Sequence, residues 1–482
     1  MIFEKYRVTN LYFFIFVITN QLTSFSFCLE ALQTECHSIA VIGTGYVGLV
    51  SGACLAEFNN NVICVDIDER KITLLRQGEI PIYEQGLKEL VNRNQKNQRL
   101  EFSIDIKQSI QKSEIILVCV DTPIGKNGEA DLTAVHAVAK MIGENLNSSK
   151  TIFIKSTVPI GSIRQIASLI SHYNNNHFLF ELAYLPEFLR EGSSVRDFME
   201  PERIIVGTES EMAKQLLIEI LSPIYKKNIP FVFTTIEAAE TIKYVSNCFL
   251  AVKVSFINEI ANLCDRTGVD IFEVSKGVGL DSRIGSKFLN PGPGYGGSCF
   301  PKDMLALIHQ SQKLEIDLKI IKAAVEANET QHKVILDKLK RALNFSVAGK
   351  TIGILGLTFK ANTGDIRESP ALKIIDALLR EDAFIKAYDP VAMENTRNAY
   401  PQLLYANSIY DAVQEADAVM ILTEWEEFKE ADWEYVRSLM KQAIVIDARN
   451  LLSIEMLDDL GFIYDNVGRS NAKKASNLMQ IN

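Results

Sequence analysis

Residues 38–57, SIAVIGTGYVGLVSGACLAE, pass from a short apolar run through three spaced glycines into a helix-favouring run. The reading is strand, tight turn, helix. Gly43 permits the turn, Gly45 lets a ligand's pyrophosphate approach the backbone, and Gly48 lets helix and strand pack closely. The helix N-terminus then offers free amides and partial positive charge to the phosphates. A second strand, NVICVDID (61–68), ends in Asp66. A carboxylate there accepts from ribose hydroxyls and repels a 2′-phosphate, so the expected cofactor is NAD rather than NADP.

EIILVCVDTP (114–123), TIFIKSTV (151–158), LAYLPEF (182–188) and RIIVG (203–207) follow as short apolar strands with helical stretches between several of them. Such alternation predicts a parallel, doubly wound α/β sheet. Residues 236–270 change texture, with helical periodicity over about nine turns and no glycine until Gly268. A helix that long joins domains or forms a subunit interface. The α/β pattern restarts with GKTIGILGLTFK (349–360) and continues through AFIKAYDP (383–390), DAVMILTEW (417–425) and AIVIDARN (443–450). The expected fold class is α/β, with two Rossmann-like doubly wound domains joined by a long central helix. The expected divisions are an NAD-binding domain at 37–228, a central helical and dimerisation domain at 229–330, a sugar-nucleotide domain at 331–467 and a polar tail at 468–482.

Composition narrows the function classes. The 482 residues carry a net charge of −10, with an acidic stretch EADAVMILTEWEEFKEADWE (415–434), so no nucleic-acid footprint is expected. Eight cysteines include no CxxC pair, and several lie in apolar strand-like runs, which fits a reducing compartment and gives no metal site. None of the six histidines borders a motif. Residues 1–36 imitate a signal peptide, with Lys5, Arg7 and the run LYFFIFVI (11–18), which is too short to span a bilayer. The segment reads as a signal-like extension or as residues upstream of the true start. No stable membrane insertion is expected, and the rest of the chain reads as cytoplasmic.

PGPGYGGSCFPKD (291–303) surrounds one cysteine, Cys299, with glycines and prolines. Glycines let a ligand approach backbone and sulfur, and the neighbouring Lys302 is expected to lower the thiol pKa. A thiolate beside NAD suggests attack on an aldehyde, loss of hydride and hydrolysis of a thioester.

GTGYVGL, VDTP, LPEFLREGS, the long helix with Lys243 and Asn247, PGPGYGGSCFPKD and GLTFKANTGDIRESP occur in this order. Together they resemble the UDP-glucose/GDP-mannose dehydrogenase family over about residues 38–460. The resemblance implies an NAD-dependent four-electron oxidation of a nucleotide-sugar C6 alcohol to the carboxylate, with UDP-glucose giving UDP-glucuronate. It implies Cys299 as nucleophile, Lys243 and Asn247 as the pair that polarises the C6 oxygen, and Asp303 as partner of the lysine through water. Glu187, with Thr122, is implied for thioester hydrolysis. Spacing alone puts Lys243 and Asn247 on one helical face, which is equally a solvated face.

Carried over as cofactor contacts are Val47, Lys71, Thr122, Glu191, Lys302 and Arg367, beside Gly43, Gly45, Gly48 and Asp66. Carried over as substrate contacts are Glu187, Phe188, Leu189, Arg190, Lys243, Asn247, Phe288, Leu289, Asn290, Pro291, Gly292, Gly296 and Lys360. Arg283 resembles the arginine that reaches the sugar nucleotide of a neighbouring subunit, which makes the expected assembly a homodimer or higher homo-oligomer. GGSCFPKD and PEFLREGS favour the UDP-glucose branch over GDP-mannose or UDP-N-acetylhexosamine dehydrogenases. A hydroxyacid dehydrogenase would need no thiol. A short-chain epimerase would need Tyr-x-x-x-Lys, which the sequence lacks. An NAD-binding sensor would have no need of all six catalytic candidates.

Overall fold

The computed structural model describes residues 36–469. The apolar run at 11–18 and nearly all of the polar tail lie outside the described residues. No helix among the described residues is long and apolar enough to cross a membrane.

The first sheet has eight strands: β1 (Ser38–Ile42), β2 (Asn61–Val65), β3 (Leu100–Ser103), β4 (Ile115–Val118), β5 (Lys150–Ile154), β6 (Phe180–Tyr184), β7 (Ile204–Gly207) and β8 (Phe231–Thr234). Their order is β3-β2-β1-β4-β5-β6-β7-β8. Alternation along fully buried strands feeds two cores. Ile115 and Leu117 pack on one face, Ile116 and Val118 on the other, as expected for a sheet covered on both sides.

The sequence reading of an all-parallel sheet fails at one step, because β7 runs antiparallel to β6. The chain leaves the carboxyl end of β6, stays there through residues 185–203, and starts β7 from that end. β8 then pairs parallel to β7, so the helix that follows runs back toward the carboxyl ends of β1–β6.

That helix spans Ile236–Thr267. Thr235 caps it by accepting from the Ala238 amide, and Gly268 ends it at φ 73°. It contributes Ala239 to the first domain's core, Cys248 and Ala251 to a middle cluster, and Ile257 and Ala261 to the last domain's core. One helix therefore belongs to three cores, and it joins the domains as its length predicts.

The second sheet holds β9 (Thr351–Leu355), β10 (Phe384–Tyr388), β11 (Leu404–Tyr405), β12 (Ala418–Ile421), β13 (Ile444–Asp447) and β14 (Ile463–Asn466). It is parallel throughout, in the order β11-β10-β9-β12-β13-β14. This repeats the arrangement of β1–β6, so both sheets are Rossmann-like. Four predicted strands run into loops. β4 ends before Cys119, β5 before Lys155, β6 before Leu185 and β9 before Gly356. These loops leave the carboxyl ends of parallel strands, where open α/β sheets bind ligands.

Candidate active site

The glycine turn does what its spacing predicts. Gly43 has φ 100°, and a Cβ on Gly48 would stand 1.9 Å from the Gly43 carbonyl oxygen. A Cβ on Gly45 would meet nothing closer than 3.9 Å, so that edge of the turn is open. Asp66 directly follows β2 and accepts from both the amide and hydroxyl of Thr44, at 2.8 and 2.7 Å. The Asp68 amide and Lys71, 3.7 Å away, also face it. Burial opposes its ionisation, but these donors hold it below the usual carboxylate range.

A cavity of about 270 Å³ opens beside this turn, lined by Gly45, Val47, Thr122, Lys302, Arg367 and Cys299 among others. The bare backbone at Gly45, the helix N-terminus beside it and the ionised Asp66 fit NAD. A larger cavity of about 760 Å³ lies on the other side, lined by Glu187, Phe188, Leu189, Arg190, Lys243, Asn247, Phe288 and Cys299. Cys299, Glu187 and Lys155 line both cavities. The thiol thus sits in the wall between the cleft beside the glycine turn and the larger cavity.

Cys299 is the N-cap of the helix Phe300–Lys313, where the helix dipole favours a thiolate. Its Sγ lies 3.5 Å from the Tyr46 hydroxyl and 3.6 Å from Ser298 Oγ. The expected fall in thiol pKa does not occur. Burial and the Glu187 and Asp303 carboxylates push it up, and Lys243 and Lys302 only partly offset them. Lys302 is spent on Asp303, to which it donates at 2.6 Å.

The glycines of the cysteine loop also serve a different purpose from the expected one. A Cβ on Gly296 would stand 2.2 Å from the Glu368 carbonyl oxygen, and one on Gly297 2.8 Å from the Phe359 ring. The Gly297 amide donates to the Arg367 carbonyl at 2.9 Å. The loop is bare because the last domain presses on it. Glu191 ties the same seam, accepting from Ser298 and Thr363, each at 3.1 Å, with Arg367 at 3.6 Å. Burial and the Asp365 carboxylate push Glu191 up to about 7.

About two turns into the central helix, Lys243 donates to Glu187 Oε1 at 2.8 Å and to the Glu187 carbonyl at 2.6 Å. The other carboxylate oxygen accepts from the Leu189 amide at 2.7 Å. Burial disfavours both charges, yet each outweighs that cost for the other, so Glu187 is held low and Lys243 high. Asn247, one turn on, donates to Asp303 Oδ2 at 2.6 Å. Asp303 contacts Asn247 and Lys302 directly, while Lys243 feels it only through its charge. Thr122 donates to the Thr157 carbonyl at 2.8 Å.

Not every carried-over residue converges. Leu289, Asn290, Pro291, Gly292, Gly296 and Lys360 line neither cavity. Gly292 instead bonds Asn258 and Gln331, which anchor the loop. The Arg283 side chain is 86% exposed and forks onto Asp281. Two site residues escaped the sequence reading. Tyr46 hides as a spacer inside GTGYVG, and Lys155 sits in an apolar run, where only its charge was a signal.

The description "UDP-glucose/GDP-mannose dehydrogenase family" matches the chain three times: its NAD binding domain over residues 37–228, its central domain over 237–330 and its UDP binding domain over 353–454. UDP-glucose 6-dehydrogenase TuaD of Bacillus subtilis is 49% identical over 432 residues, 89% of this chain and 93% of that protein. UDP-glucose 6-dehydrogenase of Rhizobium meliloti is 42% identical over 434 residues, 89% of this chain and 99% of that protein. The solved UDP-glucose dehydrogenase from the hyperthermophilic archaeon Pyrobaculum islandicum superposes with a TM-score of 0.84 at 32% identity, covering 91% of this chain and 99% of that one.

Proposed function

The chain belongs to the UDP-glucose/GDP-mannose dehydrogenase family, and from that premise we propose that Cys299 carries a four-electron oxidation of UDP-glucose at C6. The reaction is an NAD-dependent oxidation of UDP-glucose to UDP-glucuronate. The alcohol, two NAD⁺ and one water give the carboxylate, two NADH and three protons. NAD, when bound, supplies the hydride acceptor, once for the alcohol and once for the thiohemiacetal. Gly43, Gly45, Val47, Gly48, Asp66, Lys71, Thr122, Glu191, Lys302 and Arg367 are the residues that would hold or border it.

The observation that carries this reading is the position of Cys299 in the wall shared by both cavities. An ammonium has three donors. Lys243 spends two on Glu187 and keeps one for the C6 oxygen. Asp303 receives the alcohol proton through water. Cys299 adds to the aldehyde, its S–H proton leaving as one of the three released, and the oxyanion takes the free N–H of Lys243 and the second amide N–H of Asn247. Glu187, ionised and beside the thiol, takes a proton from the water that cleaves the thioester. The Thr122 hydroxyl proton is committed to Thr157, so its lone pairs are left to accept from that water. Phe188, Leu189, Arg190 and Phe288 shape the sugar side.

The assembly is a homodimer or larger homo-oligomer, and Arg283 projects from one subunit toward the neighbour's substrate. The central helix leaves Val245, Phe249, Phe256 and Leu263 exposed, a larger apolar stripe than a solvated helix carries. The protein works in the cytoplasm, where NAD and nucleotide sugars are available. NADH formed per sugar tests the reaction. UDP-glucose should give two, and GDP-mannose and UDP-N-acetylhexosamines none. A single NADH would remove the thioester from the scheme.

A further inference from the structure

Lys155 follows β5 and is only 6% exposed. Its ammonium makes no hydrogen bond or ion pair among the described residues, and it stands over the Phe198 ring, 5.8 Å from the centroid. Yet the side chain lines both cavities, together with Cys299 and Glu187. An ammonium that meets solvent only through these cavities has lost most of its hydration, which is costly. A Met or Leu at this position would fill the same volume at no such cost, so the charge calls for a use.

The charged and titratable groups around it narrow that use. Lys155 faces Cys54, Cys119, Glu187 and Lys243. Glu187 faces Lys243 and Lys155, with Cys299, Cys119 and Tyr46 nearby. Of these, only Lys155 and Lys243 are cations. Lys243 stands on the thiol and substrate side, 2.8 Å from the carboxylate. Lys155 stands on the side of Cys119 and Cys54. Glu187 is therefore flanked by two cations, one in contact and one held back.

The contacting cation is the one drawn toward the reacting oxygen. In the acylated enzyme, before water attacks, the thioester carbonyl on Cys299 takes the free N–H of Lys243, the lysine charge is shared with it, and its hold on Glu187 weakens. A buried carboxylate with a weakened counter-ion takes up a proton, and a protonated Glu187 cannot activate water. We propose that Lys155 is a positioning residue, the reserve counter-ion that keeps Glu187 ionised through thioester hydrolysis. The inference rests on the reading of Glu187 as the hydrolytic base.

Stability gives a readout that a merely structural lysine would not. Burial pushes the Lys155 ammonium below its ordinary pKa. A lysine lowered in the folded state costs stability below the folded pKa, and the cost fades as pH rises through the unfolded one. Lys155→Met should therefore raise Tm at pH 7 and lose that gain near pH 11, while activity falls. A structural lysine predicts the opposite, with Tm and activity falling together.

The test uses the full chain with UDP-glucose and NAD, and compares wild type, Lys155→Met, Lys155→Arg and Glu187→Gln. Lys155→Met should lower kcat at least tenfold, leave both KM values within twofold, and move the acid limb of kcat to higher pH. Acid-quenched enzyme should carry more sugar thioester, seen by mass. Lys155→Arg should restore the acid limb. A Lys155→Met enzyme with the wild-type acid limb and no extra thioester overturns the assignment, provided Glu187→Gln stalls. A lower Tm with an unmoved acid limb overturns it too. If Glu187→Gln hydrolyses the thioester normally, both this inference and the reading of Glu187 fall.

Discussion

Lys243 gives two of its three protons to a single residue, donating to the Glu187 carboxylate at 2.8 Å and to the Glu187 carbonyl at 2.6 Å. The lysine is 2% exposed and the glutamate 5%, so the helix and the loop after β6 are locked where the thiol lies. The pairing makes Glu187 a carboxylate at every pH at which the protein is folded near neutrality. Glu187→Gln keeps the shape and an acceptor for Lys243 but cannot take a proton. We expect two NADH per active site in a first burst, followed by turnover slower by about 10²–10⁴-fold. A protein mass increased by the bound sugar nucleotide would mark the trapped thioester. Steady turnover at the wild-type rate would assign the base elsewhere.

The same pair makes stability depend on acid. Glu187 is lowered in the folded state, so its contribution is complete above the unfolded carboxylate pKa and is lost as pH falls through the folded one. Wild-type Tm should fall below about pH 4.5 partly through this group. Glu187→Gln should show a flatter acid slope from a lower starting Tm, because it leaves the buried Lys243 without its counter-ion. Melting curves between pH 3 and 7 would check it.

Cys299 is predicted to be a poorly ionised thiol at rest. Burial and two carboxylates raise it above the ordinary value of 9.0, so the thiolate fraction at neutral pH is small. Inactivation by iodoacetamide should keep accelerating beyond pH 9 and disappear in Cys299→Ala. A plateau near pH 7 would mean that the helix N-terminus and Lys243 outweigh burial. Tyr46→Phe removes the hydroxyl 3.5 Å from the sulfur. A hydrogen bond to a charged group contributes about 1.5–3 kcal/mol, so kcat should fall by roughly 10–100-fold with the NAD KM little changed.

The opposite sign for the thiol shows where sequence reading stops. Glycine spacing and strand periodicity gave the first turn, the long helix and both Rossmann-like domains, because such signals are local. Burial is not local. Nothing in GGSCFPKD tells that Lys302 turns to Asp303 rather than to the sulfur, or that Phe359 and Glu368 arrive from the last domain to sit over Gly297 and Gly296. Strands β3, β8, β11 and β14 went unread because they are short or half-exposed, such as LEFS and FVFT. The reversal at β7 was equally hidden, since direction depends on where the connecting residues 185–203 lie.

The Asp66 carboxylate is held by Thr44 and faced by Lys71 at 3.7 Å, and the proposed role in cofactor choice is testable. Asp66→Ser should raise the NAD KM about tenfold or more. It should also admit NADP, because the repulsion of a 2′-phosphate is gone and Lys71 is released. The ratio of kcat/KM for the two cofactors measures this. An unchanged ratio would place discrimination outside the β2 end.

The exposed stripe on the central helix and the exposed Arg283 make separable predictions about assembly. Phe256 is 53% exposed and Leu263 57%, and they lie seven residues apart on one helical face. If that face joins two copies, Phe256→Asp with Leu263→Asp places two charges in an apolar contact, and sedimentation should show the monomer mass. Arg283→Ala removes a side chain whose hydrogen bonds among the described residues go to Asp281. Its sedimentation should be unchanged, but its KM for UDP-glucose should rise about tenfold, because a charge-assisted bond to a phosphate or sugar oxygen is lost. A monomeric double variant with normal KM would separate assembly from the substrate site. An Arg283→Ala enzyme with normal KM would return that arginine to solvent.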